Sequence, residues 1–474
     1  MRMTLPALLA AAALAAVAGC SVSGAADDAD GKIKVVVGYQ SKTINTVTAG
    51  TLLRSLGYLE ERLGDRYTVE WQDYDTGAPI TAKMVAGKID IGSMGDYPLL
   101  INASRTQAAA ESARTEFVSV TGYNLRGGLN MVVVPPDSKA RTLADLKGTK
   151  ISASVGSAGH GTLVQALERA GIDPNKDVEV VNHQPPVGAS QLESGGVQGY
   201  AQFVAWPGLL AYQGKGRLLY DGSALEVPTF HGVVVRRAYA AEHPEVVDAF
   251  LRAQIDATRY LHEHPVEAAE AVAKETGLPA EVVYLYNGRG GVSSFDVTLK
   301  PQLIEALGHD VRYLKRIGDD FGDVDLRAFV NDSYLRKAYG PAYDADTAKT
   351  DNPAPITGRD PVCDVEVTDP RTASELWVSG TTTRPAATPT CLLRQLAAEK
   401  GEVRAAYVPD TVTGTHWFAD RSVWLRDPGA KPNDRFLPFS TQEGADAYRA
   451  EHPKTEPVTF EEALQAAGAE GDAR

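Results

Sequence analysis

Lys150–Ala170, KISASVGSAGHGTLVQALERA, carries the pattern of a strand, a turn and a helix in succession. Ile151-Ser152-Ala153 reads as a short strand, and Leu163, Ala166, Leu167 and Ala170 fall at i, i+3, i+4 and i+7, one face of a helix. Between them, Ser154 to Thr162 (SVGSAGHGT) forms a glycine-rich strand-to-helix turn. Such a turn presents N–H groups at the positive end of a helix dipole and favours an anionic head group. The same glycines also suit a tight turn, with Ser157 as the helix cap.

The pattern repeats outward. Apolar runs at Val35–Tyr39, Ile89–Ile91, Met131–Val134, Val178–Val181 and Val233–Val235 are bounded by turn residues and read as strands buried on both faces. A helix is expected after Pro244, where Val247, Phe250, Leu251 and Ile255 share a face. Alternation of this kind predicts an α/β architecture with parallel sheets. From Gly340 the sequence GPAYDADTAKTDNPAPITGRDP has neither period, so residues 341–356 read as a linker and 357–474 as a further small domain. No internal repeat is seen.

The 474 residues suffice for several domains, and 43% hydrophobic with 23% charged residues is the composition of a globular chain. Lys+Arg 47 against Asp+Glu 61 gives a net charge of −14, which argues against nucleic acid as a partner, because phosphate neutralisation needs a basic surface. Arg2, an apolar run from Leu5 to Val17 and then Ala18-Gly19-Cys20 follow the order of an export signal, and Val17–Cys20 resembles a bacterial lipobox. The expectation is a signal peptide at 1–19, a lipid on Cys20 and a flexible tether at 20–32. The protein would then sit on the outer face of the bacterial cytoplasmic membrane, held by its anchor, where disulfides persist. No later segment is apolar enough to span a membrane.

Residues 33–340 resemble the substrate-binding proteins of nitrate/sulfonate/taurine ABC importers. The resemblance rests on Val37-Gly38-Tyr39-Gln40, Trp71 to Pro79 (WQDYDTGAP), Gly87–Gly92 leading to Gly95-Asp96-Tyr97-Pro98, Leu143–Gly148, Gly156-Ser157 and Trp206-Pro207. It implies a two-lobed periplasmic-binding-protein fold of type II-like topology. The second lobe would lie at about 125–230, and the ligand would be held between the lobes. It also implies an ABC permease and its ATPase as partners, with no cofactor required and no catalysis.

Ligands in α/β sheets sit beyond the carboxyl ends of strands. The candidate binding residues are therefore Gln40, Ser41 and Thr43 after the first strand, and Gly95, Asp96 and Tyr97 after the Ile89 strand. Ser154, Ser157, Gly159 and His160 come from the glycine-rich turn, and Trp206 is a candidate aromatic wall. Arg126 is either an anion clamp or an exposed side chain, exposure being favoured. Where relatives carry an acidic residue followed by alanine, this chain has Val197-Gln198-Gly199, which argues against a ligand such as taurine whose amino group needs that carboxylate. The insert Gln184-Pro185-Pro186 has no counterpart in the resemblance.

Residues 357–474 resemble the NosL family of copper-binding accessory lipoproteins. This likeness rests on Asp360 to Val367, Cys391-Leu392-Leu393, Gly414 to Ala419 and Pro438 to Glu462, and it implies a small α+β domain of short strands followed by two short helices. The family's methionine two residues after the first cysteine is here Val365, and the five methionines all lie at or before Met131. Cys363, Cys391 and His416 are the remaining candidate ligands for Cu(I) or Zn, while Cys363 and Cys391 are equally placed to form a disulfide.

Two other functions compete with the solute receptor. One is copper or metal-chelate handling linked to metalloenzyme assembly. The other is an enzyme related to thiamine-pyrimidine synthesis, which the lack of any cysteine between Cys20 and Cys363 disfavours. Ser157 near His160 could be a triad fragment, but no orienting acid is apparent.

Overall fold

The computed structural model describes residues 31–317 and 321–472. The expected signal, Cys20 and all but the last two residues of the tether lie outside the described residues. Among the described residues no helix is long and apolar enough to cross a membrane.

Eleven strands build two sheets: β1 (Ile33–Tyr39), β2 (Tyr67–Asp73), β3 (Ile91–Gly95), β4 (Thr115–Asn124), β5 (Asn130–Val134), β6 (Lys150–Ala153), β7 (Glu179–Asn182), β8 (Gly199–Phe203), β9 (Arg217–Asp221), β10 (Thr229–Arg236) and β11 (Ser294–Phe295). The first sheet has the order β11-β4-β10-β3-β1-β2, the second β7-β6-β8-β5-β9. All five strands of the second sheet come from residues 130–221, so the chain leaves the first lobe through β4 and returns through β10. Asn124 at the end of β4 pairs with Thr229 at the start of β10, which places the two crossings side by side.

The sheets are mixed, where parallel sheets were expected. β1, β2 and β3 run parallel, as do β6, β7 and β8. β10 lies antiparallel to both β3 and β4, and β5 antiparallel to β8 and β9. The physical reason is the double crossing: a chain that leaves and re-enters one sheet by adjacent strands must run opposite ways in them. An apolar run alone carries no record of strand direction.

Each lobe has its own core. Val35, Val37, Ile91, Phe117 and Phe230 lie in the first, packed against the amphipathic helix Pro244–Glu263, which buries Val247, Phe250, Leu251 and Ala257. Pro244 sits at the first turn of that helix, where its missing N–H is harmless. Ile151, Leu163, Ala166 and Leu167 lie in the second lobe's core, on the face the sequence spacing marked. Residues 341–356 are laid along the first lobe. Tyr343 is buried within a short helix, Tyr343–Thr347, Lys300 Nζ donates to the Asp346 carbonyl at 3.0 Å, and Gly290 N–H donates to Ala354 O at 2.8 Å.

After residue 357 the strands are short and antiparallel. Thr382–Ala386, Ser374–Ser379, Ala405–Pro409 and His416–Phe418 form one sheet in that order, and Phe436–Phe439, Val423–Arg426 and Glu456–Val458 form another. Three helices accompany them: Pro389–Ala398, between the strands of the first sheet, then Gln442–Glu451 and Phe460–Asp472. The sequence suggested only the last two. Trp377, Tyr407, Trp417 and Phe418 are buried in one continuous cluster with Tyr284 and Leu210 of the preceding region. Tyr284 donates from its hydroxyl to the buried Glu375 carboxylate at 2.9 Å, and Thr413 donates to Asp221 at 2.9 Å.

Candidate functional site

A cleft of about 160 Å³ lies between the two lobes at the carboxyl ends of β1, β3 and β6. Four helices of nine residues or more begin at its walls. Gly77–Val85 and Asp96–Ala108 come from the first lobe, Ala158–Arg169 and Pro185–Glu193 from the second. Their first residues or caps (Gly77, Gly95, Ser157 and Gln184) all line the cleft. The first N–H groups of a helix have no intrahelical acceptor, so four positive dipole ends face one space. Thr76 caps the first of these helices without using its side chain, and it also lines the cleft. None of the lining residues is Lys, Arg, Asp or Glu.

Of the residues predicted from sequence, Gln40, Gly95, Ser154 and Ser157 line this space. Gln40 is held by donation from Nε2 to Ser93 O at 3.1 Å. The 154–157 turn is fixed from behind: Gln202 Nε2 donates to Ser154 Oγ at 3.0 Å, Ser154 Oγ donates to His183 O at 2.9 Å, and Val155 N–H donates to Asn182 Oδ1 at 3.1 Å.

The other predicted residues serve the frame rather than the cleft. Ser41 donates from both its backbone N–H and its hydroxyl to Asp73, at 2.8 and 2.6 Å. Thr43 is buried and accepts, through its carbonyl, from Thr46 Oγ1 at 2.9 Å. Asp96 turns its oxygens onto the N–H groups of Tyr97 and Phe230, at 2.7 and 3.3 Å. Burial and the nearby Asp310 push its carboxyl well above the usual range. Tyr97 lies against Gly161, where an added Cβ would fall 2.2 Å from the ring. Gly159 faces the Gln202 backbone, 2.8 Å from where its Cβ would be, so it permits helix-to-sheet packing, and it is not among the residues that line the cleft. Trp206 is buried in the core at the start of the helix Trp206–Tyr212, and Phe203 is the aromatic side chain that lines the cleft. Arg126 pairs with Glu226 at 3.0 Å on the surface.

His160 is also structural. Its Nδ1 accepts the Gly156 N–H at 3.3 Å, and its own backbone N–H donates to Ser157 Oγ at 3.2 Å. Burial lowers the imidazole to about 4, so it stays neutral. Its ring makes no hydrogen bond to the Ser157 hydroxyl, and no nucleophile–base pair is formed there. Gln198 Oε1 accepts the Lys150 N–H at 3.2 Å, at the amino end of β6 and away from the cleft. Its missing carboxylate therefore says nothing about the ligand.

Sequence reasoning missed His231, Thr76, Asn182 and Gln184, all of which line the cleft. A signal existed for two of them. Thr76 lies inside the WQDYDTGAP motif, and Gln184 opens the unmatched QPP insert, whose prolines start a helix with Pro at its first turn.

The expected metal set is not assembled. Cys363 and Cys391 are joined as a disulfide, so neither offers a thiolate. Asp360 lies beside them, but its carboxylate accepts N–H groups from Val362, Cys363 and Ala387, each at 2.9 Å, and braces the loop. His416 is elsewhere, buried against Gly290, with Nε2 3.1 Å from Ala373 O. The soft residues of this region are thus packing and cross-link.

Residues 101–268 match the NMT1/THI5-like family. The chain is 34% identical over 193 residues to the taurine-binding periplasmic protein of Escherichia coli (strain K12), a match covering 40% of this chain and 56% of that protein. The chain thus spans little more than half the length of that relative. The alkanesulfonate-binding protein SsuA from Xanthomonas axonopodis pv. citri, solved bound to MOPS, aligns with a TM-score of 0.54 at 23% identity over 63% of this chain and 98% of its own. The periplasmic nitrate-binding protein NrtA from Synechocystis PCC 6803 aligns with a TM-score of 0.52 at 15% identity over 69% and 93%. With its two lobes, double crossing and interlobe cleft, the chain has the α/β periplasmic-binding-protein fold.

Proposed function

We propose that the protein is an extracytoplasmic solute receptor that delivers a small oxyanion to the permease and ATPase of an ABC importer, and that it performs no chemistry on that ligand. The observation that carries this is the convergence of four helix N-termini, two from each lobe, on a cleft lined by no charged side chain. Such a site neutralises an anion with fixed dipoles, and it closes around the ligand because each lobe supplies half of them. The names of the taurine-, alkanesulfonate- and nitrate-binding relatives support the same class. An ammonium group would find no carboxylate on the walls, and Ile101, Val155 and Phe203 offer it apolar contacts. The favoured ligand is therefore a sulfonate or similar oxyanion with a short uncharged substituent, in preference to taurine.

In this reading Cys20 carries the lipid anchor, and Cys20→Ala releases an exported protein from the membrane. Residues 357–474 form a NosL-like module that is stapled by its disulfide and docked on the receptor, without a metal role. Mass spectrometry of what copurifies with the full chain, followed by thermal shift with ethanesulfonate, nitrate and taurine, tests the ligand class. Stabilisation by an oxyanion and not by taurine supports it. Stabilisation by none of these oxyanions, with a copurifying cation or neutral molecule instead, overturns it.

A further inference from the structure

His231 stands on β10 directly opposite Gly95 of β3, in the antiparallel register of the first sheet. It is 3% exposed, and it lines the cleft. Cross-strand partners share a face, and a side chain at position 95 would cover the ring: a Cβ there would lie 3.0 Å from His231 Nε2. The bare Cα of Gly95 thus leaves Nε2 open towards the mouth of the helix Asp96–Ala108. On the other side of the ring, Nδ1 is engaged by the side-chain Nδ2 of Asn45, which is itself fully buried. With the Asn45 amide placed NH₂ towards the ring, Nδ2 donates, Nδ1 accepts and the single proton of a neutral imidazole belongs on Nε2.

We propose that His231 donates a hydrogen bond from Nε2–H to the oxyanion of the bound ligand, and that Asn45 is the positioning residue that fixes the donor tautomer. This rests on the oxyanion reading above and names the side chain that gives it specificity. Burial holds the imidazole down at about 3, so it does not add a cationic charge at neutral pH. The donor is neutral, and it discriminates among ligands by demanding an acceptor at one point. Asp96, the chain neighbour of Gly95, turns its oxygens onto backbone N–H groups.

Four variants and one spectroscopic signature test this on the full chain, with ethanesulfonate as the probe. His231→Phe, which removes the donor, and Gly95→Ala, which covers it, are each expected to weaken binding at least tenfold in calorimetry. His231→Gln, which keeps a donor, is expected to recover part of that loss. Asn45→Asp, which takes the proton onto Nδ1, is expected to weaken binding at least tenfold while the chain remains folded. In the parent, the ¹⁵N shifts of His231 should show Nε2 protonated and Nδ1 unprotonated, unchanged between pH 8 and pH 5.

A parent that binds ethanesulfonate while His231→Phe and Gly95→Ala bind it equally well overturns the role of His231 and leaves the oxyanion reading standing. A protonated Nδ1, or an imidazolium between pH 5 and pH 8, overturns the tautomer assignment whatever the affinities. A parent that binds no oxyanion overturns both the reading and this inference.

Discussion

Gln165, on the helix that opens the second lobe's side of the cleft, donates from Nε2 to the hydroxyl of Tyr97 in the first lobe at 2.7 Å. The same amide reaches Asp310 Oδ1 at 3.0 Å, and Gly161, one turn before Gln165, accepts the face of the Tyr97 ring. A residue expected to touch the ligand thus joins the two lobes behind it. Tyr97→Phe keeps the ring and removes the bridging hydroxyl. Losing a buried hydrogen bond costs about 1–2 kcal/mol, so ligand affinity should fall about tenfold. Calorimetry with ethanesulfonate reads this, and unchanged affinity would remove the interlobe role.

Ala158 and Gly159 are adjacent, yet they answer differently to the same substitution. Ala158 lines the cleft, so Ala158→Asp places a carboxylate among the helix N-termini there and should weaken ethanesulfonate binding at least tenfold. An acidic residue in the first helical turn favours the helix and offsets part of the cost of burying the carboxylate, Ala158 being 3% exposed, so the unfolding temperature should fall less than in Gly159→Asp. Gly159→Asp instead drives a side chain into the Gln202 backbone and should lower the unfolding temperature sharply. Melting curves of the two proteins separate the roles.

Glu375 gives a pH signature. Burial pushes its carboxyl up to about 7 from 4.5, against the opposing pull of Thr383, Tyr284 and Arg289. The folded state therefore holds a proton that the unfolded chain releases above pH 4.5. Stability from this group is full below pH 4.5 and is lost as pH rises to about 7. Glu375→Gln removes the dependence. It should be near neutral at pH 4.5 and stabilise the protein by up to about 3 kcal/mol at pH 8. Urea unfolding at the two pH values measures the difference, and a benefit that is larger at pH 4.5 would reverse the sign.

The Cys363–Cys391 bond closes a loop of 28 residues. Chain-entropy arguments put such a cross-link at about 3.6 kcal/mol. The Cys363→Ala/Cys391→Ala double variant should lose that much stability in urea. It should keep ethanesulfonate affinity within twofold, because neither cysteine lines the cleft. A variant that loses ligand affinity at full stability would tie the cross-link to the cleft instead.

Much of the frame was legible because periodicity records burial. The runs at Val35, Met131 and Ile151 are strands, and the faces of the helices Ala158–Arg169 and Pro244–Glu263 are the ones their spacing marked. Strand direction was not legible, since β4, β5 and β10 carry the same apolar pattern whichever way they run. The glycine-rich turn was found, but position within it was not. Ser157 lines the cleft while Gly159 and His160 turn into the lobe, a difference of one helical step that depends on where the helix begins. His231 was hidden because its function depends on Asn45 and Gly95, which are far from it in sequence and meet it only through the pairing of β10 with β3 and the packing of the 44–49 segment.

In the proposed receptor, fixed dipoles and neutral donors, with no charged side chain, select an oxyanion lacking an ammonium group. Calorimetry of the full chain with three ligands of similar size, ethanesulfonate, taurine and the uncharged ethanesulfonamide, reads this selection. Ethanesulfonate is expected to bind, taurine at least tenfold more weakly because its ammonium meets no carboxylate, and the sulfonamide with no measurable heat. Taurine or the sulfonamide binding as tightly as ethanesulfonate would contradict it.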